Sequence, residues 1–289
     1  MTNQEVPSTG SNSLDRPGNS LETTNSMSIT SLITLTTDYG DSSPYAAVLK
    51  GVILSLNPSA RMVDLSHTIR PQNLRHASYF LATAIPSFPP ETIHLCVVDP
   101  GVGSDRAAIF AEVGGQRLVG PDNGIFTGVF RRLGKPVAVR RLTEPQFWRH
   151  PLSDTFHGRD IFAPVAAHLS LGIDPTELGP DHPKPVALSI HSAVTFGNRC
   201  QGEVAFIDDF GNMITNIPAP MVKSLPVKVS FRGEPPHQFR WVRTYAEAAP
   251  GELVCLFSSD GFFEIAEVNG NAARRLGVGD GAQVEIEFE

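Results

Sequence analysis

Cysteine is scarce in this 289-residue chain, which has three: Cys96, Cys200 and Cys255. They share no Cys-x-x-Cys spacing and each lies in an apolar run. That pattern argues against a disulfide framework or a zinc ribbon and predicts buried thiols in a reducing compartment. Positive charge is also short, with 23 Lys and Arg against 30 Asp and Glu and a net charge of −7. This balance disfavours nucleic acid and anionic membrane surfaces as partners. No apolar run approaches the ~18 residues of a membrane span, and the N-terminus has neither the charged start nor the hydrophobic centre of a signal peptide. A soluble, cytoplasmic protein is the expectation. Charged residues make up 18% and hydrophobic ones 41%, enough apolar material for packed cores and too little charge for a disordered chain. At about 100–200 residues per domain, the length predicts two domains.

Residues 1–29 are Ser, Thr, Asn, Gly and Pro with almost no large apolar side chain, so they are expected to form a disordered tail. Structure starts at the β-rich run Ile33-Thr34-Leu35-Thr36-Thr37, ended by Asp38-Tyr39-Gly40. Tyr45, Val48, Leu49, Val52, Ile53 and Leu56 then recur at helical spacing, with Pro44 near the start and Asn57-Pro58 as the stop. The cycle repeats: a strand at Met62–Leu65, a helix with Leu74, Ala77, Phe80 and Leu81 on one face, and a third strand at Ile93–Val98. Alternating strands and helices predict an α/β domain with a mainly parallel sheet between helices, over residues 30–188. Two short strands, Ala107–Val113 and Arg117–Val119, follow around Gly114-Gly115, then the turn Pro121–Gly124 and a helix at Asp160–Leu171. The run Gly179–Val186, with three prolines, reads as a linker. Beyond it, short apolar runs separated by turns predict a smaller all-β domain over 196–289.

In such a sheet, ligands bind outside the carboxyl ends of the strands, where loops are free to carry polar groups. Asp38, Asp64 and Asp99 all fall there, although Asp before Gly or Pro is also ordinary turn chemistry. Asp99-Pro100-Gly101-Val102-Gly103-Ser104-Asp105-Arg106 joins an acid and a guanidinium through two glycines, and it lacks the Gly-Lys-Ser/Thr ending of a phosphate loop. Ser153–Asp160 sets His157 among hydroxyl, acid and guanidinium groups before a helix. A cap at Asp154 or Thr155 with His157 on the surface accounts for that segment equally well. Ile207-Asp208-Asp209-Phe210-Gly211-Asn212 is either a hairpin turn or a pocket for a ligand with an amine and a flat polar ring. Phe257-Ser258-Ser259-Asp260-Gly261 is similarly open. The remaining histidines show no metal-ligand spacing, and no metal site is expected.

Taken in order, Leu35–Gly40, Val98–Gly103, Pro121–Gly124, Thr155–Asp160 and Ile207–Asn212 resemble the S-adenosylmethionine hydroxide adenosyltransferase family, relatives of the fluorinating and chlorinating enzymes that use the same substrate. The likeness runs from about residue 31 to 289. It implies a barrel-like C-terminal domain and a homotrimer whose active sites lie between the N-terminal domain of one subunit and the C-terminal domain of the next. The implied reaction is attack of water or hydroxide on the 5′ carbon of S-adenosylmethionine, releasing adenosine and L-methionine, with no cofactor. The hydrolytic branch carries an Asp, Arg and His set that falls here on Asp99, Arg106 and His157. Halogenating relatives typically have Tyr at the position of Asp99 and lack the histidine, and Gln72 replaces one of their Trp residues.

The expected chemistry follows from the leaving group. A sulfonium departs as a neutral thioether and needs no acid, so the task is to hold water in line with the carbon–sulfur bond. His157 and Asp99 are expected to accept hydrogen bonds from that water, with Arg106 orienting the acid and stabilising developing charge. The resemblance further assigns Asp38 to the ribose diol, Asp208 or its competitor Asp209 to the ammonium, Asn212 to the adenine edge, Tyr245 to stacking on adenine and Ser259 to the substrate carboxylate. Asp260 stands where halogenating relatives have Arg. A halogenase, or a protein that binds adenosine or S-adenosylmethionine without turnover, are the alternatives.

Overall fold

The computed structural model describes residues 1–3, 32–224, 226–231 and 235–288, without the side chains of Pro226 and Val227. The tail expected over 1–29 lies, residues 1–3 apart, outside the described residues. The first domain contains β1 (Leu32–Thr37), α1 (Tyr45–Leu56), β2 (Arg61–Ser66), α2 (Leu74–Ala84), β3 (Ile93–Val97), β4 (Ala108–Val113), β5 (Gln116–Pro121), α3 (Thr127–Leu133), β6 (Ala138–Arg141) and α4 (Ala163–Ser170). Its six strands run in the order β2-β1-β3-β5-β4-β6.

The sheet is mixed. β1 pairs β2 and β3 in parallel and β3 pairs β5 in parallel, whereas β4 is antiparallel to both β5 and β6. Gly114 and Gly115, both at positive φ (56° and 76°), make the two-residue hairpin that forces β4 and β5 antiparallel. Both faces are buried. Ile93, Leu95 and Val97 of β3 join Leu49 and Ile53 of α1 and Val165 and Leu169 of α4 in one cluster, while Cys96 and Val98 join Ala77 and Leu81 of α2 and Val129 of α3 in another. This two-sided burial is why the central strands read as continuous apolar runs. Between them, Thr34 Oγ1 meets His94 Nδ1 at 2.7 Å and His94 Nε2 meets the Gln116 amide oxygen at 3.1 Å.

The expected linker is stapled to the first domain. Asp122 accepts from the Val186 backbone (2.8 Å) and pairs with His182 Nε2 (2.7 Å), and His182 N donates to Val139 O (2.8 Å). The second domain holds β7 (Val194–Phe196), β8 (Arg199–Ile207), β9 (Met213–Pro218), β10 (Pro226–Phe231), β11 (Arg240–Trp241), β12 (Leu253–Phe257), β13 (Phe262–Glu267), α5 (Ala272–Leu276) and β14 (Gln283–Phe288). Its strands run β10-β14-β8-β9-β13-β12-β11, with β7 on β8, as a curled half-barrel. The first half of β8 pairs β14 and the second half pairs β9. Two details depart from an all-β antiparallel domain: α5 is a helix, and β11 pairs β12 in parallel. The domains meet where α2 packs on β8. Arg75 is 2.7 Å from Glu203, and the rings of Tyr79 and Phe206 stack at 5.2 Å.

Candidate active site

A cavity of about 440 Å³ opens at the carboxyl ends of β1 and β3, with Asp38, Tyr39, Gln72, Asp99, Phe156 and His157 among its lining residues. Of the three strand-end carboxylates, Asp64 is not there. It sits within β2, bonded to Lys50 Nζ at 2.5 Å and 3.0 Å from His67 Nε2.

Asp99 leaves β3 into a tight loop. Val102 N donates to Asp99 O and Ser104 N to Gly101 O, which folds the chain back so that Arg106 reaches the carboxylate seven residues before it. Arg106 Nε lies 2.9 and 3.0 Å from the two Asp99 oxygens, and Nη2 also contacts Oδ2. The Arg106 and Asp99 side chains are 9% and 6% exposed, so the pair is shielded from solvent. The guanidinium lies 5.2 Å from the Phe162 ring centroid.

His157 arrives from a distant segment. Fully buried Asp160 ties that segment down, accepting from Ser153 N (2.9 Å) and from Arg159 (2.6 and 2.8 Å). His157 leads directly into a π-helical turn, Gly158–Phe162, that continues as α4, and neither Asp154 nor Thr155 caps it. The Asp99 loop docks on the same segment. Gly103 has φ +78°, and a Cβ there would lie 2.5 Å from Asp154 O, so only glycine permits that approach.

Arg106 Nη2 is 2.8 Å from His157 Nδ1. A guanidinium can only donate, so Nδ1 accepts and the neutral ring carries its proton on Nε2. Burial, followed by the Arg106 charge, pushes the His157 pKa below the ordinary imidazole value despite the opposing pull of Asp99, which favours that neutral state. Asp38 Oδ2 accepts from Gln72 N at 2.8 Å, with Gln72 at φ +62°. Sequence reasoning missed the aromatic wall: Tyr39, Tyr45 and Phe156 meet edge to face with centroids 5.3–5.9 Å apart. Burial, then the charges of Asp38 and Asp99, raise the Tyr39 pKa and keep its hydroxyl protonated.

None of Asp208, Asn212, Tyr245 and Ser259 lines this cavity. Asp208 Oδ1 accepts from Phe210 N (3.0 Å) and Asn212 N (2.8 Å), and Oδ2 from Asn212 Nδ2 (2.9 Å). The Asn212 amide is thus engaged within its own turn. Tyr245 donates to Glu264 Oε1 at 2.5 Å. Glu264 is 4% exposed, and burial, helped by the Asp208 charge, raises its pKa. A glutamate in the middle of the apolar strand Phe262–Glu267 was the unused signal for it. Ser259 is exposed in a turn. A second cavity of about 390 Å³ lies between the domains, lined in part by Tyr79, Arg131, Met221 and Phe262, and holds none of the expected site residues. Among the described residues no group of three or more His, Cys, Asp or Glu is placed to hold a metal, and no helix is long and apolar enough to cross a membrane.

Residues 33–179 match the SAM hydroxide adenosyltransferase N-terminal domain and residues 202–285 the corresponding C-terminal domain. The chain is 40% identical over 256 residues to the (R)-S-adenosyl-L-methionine hydrolase of Thermus thermophilus, covering 86% of this chain and 96% of that protein. It is 37% identical to the hydrolase of that name from Methanocaldococcus jannaschii, covering 89% and 96%. A fluorinase from Nocardia brasiliensis is 23% identical, covering 88% and 96%. A crystal structure of an uncharacterized conserved protein from Thermotoga maritima superposes with a TM-score of 0.84 at 37% identity, covering 88% of this chain and 99% of the other.

Proposed function

Because this chain belongs to the SAM hydroxide adenosyltransferase family, we propose that it hydrolyses S-adenosyl-L-methionine to adenosine and L-methionine by in-line attack of water on the 5′ carbon. The observation that carries this reading is the linked set Asp99–Arg106–His157, with its acid and its imidazole both on the wall of the cavity.

The tautomer assigns different tasks to the two groups expected to accept from water. With Nδ1 occupied by Arg106, the neutral His157 ring offers an N–H at Nε2, which holds the oxygen of a water but does not take its proton. Asp99 is the acceptor. Both its oxygens accept from Arg106, Oδ2 from both Nε and Nη2, and Oδ1 keeps a second lone pair for the water. As the new carbon–oxygen bond forms, the carbon–sulfur pair leaves with the neutral thioether and the water proton passes to Asp99. Arg106 fixes the orientation of the acid and of the ring, a preorganised arrangement that needs little rearrangement during reaction.

Asp38, with one oxygen held by Gln72 N, grips the ribose diol, since adjacent hydroxyls can both donate to one carboxylate. The adenine and amino-acid contacts belong to Asp208, Asn212, Tyr245 and Ser259. None of these lines the cavity of its own chain, which is consistent with their serving the cavity of a neighbouring copy in the homotrimer that the resemblance implies. The reaction uses no cofactor or metal ion. The catalytic domain spans 30–188 and the β-domain, completing a barrel-like wall, spans 196–289. The free, buried Cys96, Cys200 and Cys255 suit a reducing, cytoplasmic location. Incubation with S-adenosyl-L-methionine in oxygen-18 water tests the reading. Label in adenosine is the expected result, and a 5′-halogenated nucleoside in the presence of halide, or no turnover, overturns it.

A further inference from the structure

Thr37, the last residue of β1, is fully buried beside the cavity, and its hydroxyl lies 2.9 Å from His67 Nδ1 and 3.3 Å from the Tyr39 backbone nitrogen. His67 Nε2 is 3.0 Å from Asp64 Oδ1, off the straight hydrogen-bond line, and Lys50 holds the other Asp64 oxygen at 2.5 Å. A lone pair on Nε2 facing a carboxylate would be repelled, so Nε2 carries the ring proton and Nδ1 accepts. The hydroxyl of Thr37 therefore donates to His67, and its oxygen is left to accept from Tyr39 N. The polarity runs one way, from Tyr39 N–H through Thr37 to His67, whose Nε2 proton faces the Asp64 charge, and such linked hydrogen bonds reinforce one another.

Two further bonds join the same segments. Gly40 N donates to His67 O at 2.7 Å, and Gln72 N donates to Asp38 Oδ2 at 2.8 Å. The loop that carries Asp38 is thus stitched to the 67–72 segment at Thr37, Asp38 and Gly40. The β1–β2 ladder loses its regular register between Leu35 and Thr36, while the β1–β3 ladder stays in register through Thr37, so on the β2 side these bonds, and not the ladder, hold the start of the loop.

We infer that His67 and Thr37 are positioning residues for the ribose of the substrate, acting through the Asp38 loop; this rests on the reading that Asp38 takes the ribose diol. Neither side chain touches the substrate. The same network fixes Tyr39, so the aromatic wall and the carboxylate are held as one unit.

The test is equilibrium binding of adenosine and of 2′,3′-dideoxyadenosine to the intact protein by calorimetry, which needs no turnover. Thr37→Val keeps the side-chain shape and removes the hydroxyl, and His67→Ala removes the acceptor. Each should weaken adenosine by about tenfold, the loss expected when a hydrogen bond to a charged group is misplaced, and leave dideoxyadenosine unchanged. Thr37→Ser should restore adenosine binding. In an Asp38→Ala background, Thr37→Val should add no further loss. The inference is overturned if both nucleosides weaken equally, if neither changes, or if Thr37→Ser behaves like Thr37→Val. Absence of oxygen-18 in adenosine from the unaltered protein would instead overturn the hydrolase reading.

Discussion

The Arg106 guanidinium donates to Nδ1 of His157 across 2.8 Å, and through this bond the imidazole is committed to a single tautomer. Protonating the ring would set two donors against each other, so the arginine both orients the histidine and opposes its charging.

His157→Gln should retain more activity than His157→Ala. A glutamine amide can place a donor near the Nε2 position, whereas alanine removes the contact. Steady-state kinetics should show kcat reduced by about 10²-fold or more for Ala, with KM little changed, and by clearly less for Gln. Equal loss in the two variants would contradict the donor role.

Gly103→Ala should lower both activity and stability. The added Cβ meets Asp154 O at 2.5 Å in a backbone at φ +78°, a strain of order 1–3 kcal/mol. The Asp99 loop would have to lift off the segment that carries His157. A lowered Tm with kcat reduced more than affinity is the expected pair of results. An unchanged Tm would show that the loops are not locked at this point.

Stability should fall on acidification through His94. Burial lowers its pKa from 6.5 to about 4, so between those values the unfolded chain takes up a proton that the folded one refuses. The His94 contribution is complete above about pH 6.5, is lost at about 1.4 kcal/mol per pH unit as the pH falls, and levels off below about 4. Denaturant titrations of the unaltered protein and His94→Gln across this window should differ in slope. Parallel curves would refute it.

Asp99→Ala and Asp208→Ala chains, each inactive alone, should recover activity when mixed under conditions that exchange subunits. Where a site joins the first domain of one copy to the second domain of another, about a quarter of the sites in an equal mixture are intact on both sides. Activity that stays absent after verified exchange would place both residues in one chain's site.

Much of the first domain can be read from residue order alone, because β1, α1, α2 and β3 each bury a continuous or periodic apolar set, the edge strand β2 half-buries Met62 and Leu65, and these elements are separated by Asp, Gly, Asn and Pro. The same order put Asp38, Asp99 and His157 at loop positions where polar groups have room. Elements with little local signal went unread. α3 is seven residues long, and β11 is two. What the tertiary structure alone decided is which of these groups meet. Asp64 and Asp38 look alike in sequence, but Asp64 lies within its strand, paired with Lys50 and beside His67, while Asp38 faces the cavity. His157 lies 51 residues from Arg106 along the chain, and the tautomer that defines its role depends on that one contact. Glu264 and Tyr245 are paired by the packing of β13 against a separate turn. Local periodicity is a property of neighbours in sequence, whereas pairing, protonation and cavity shape depend on distances set only when the sheet and its covering helices pack.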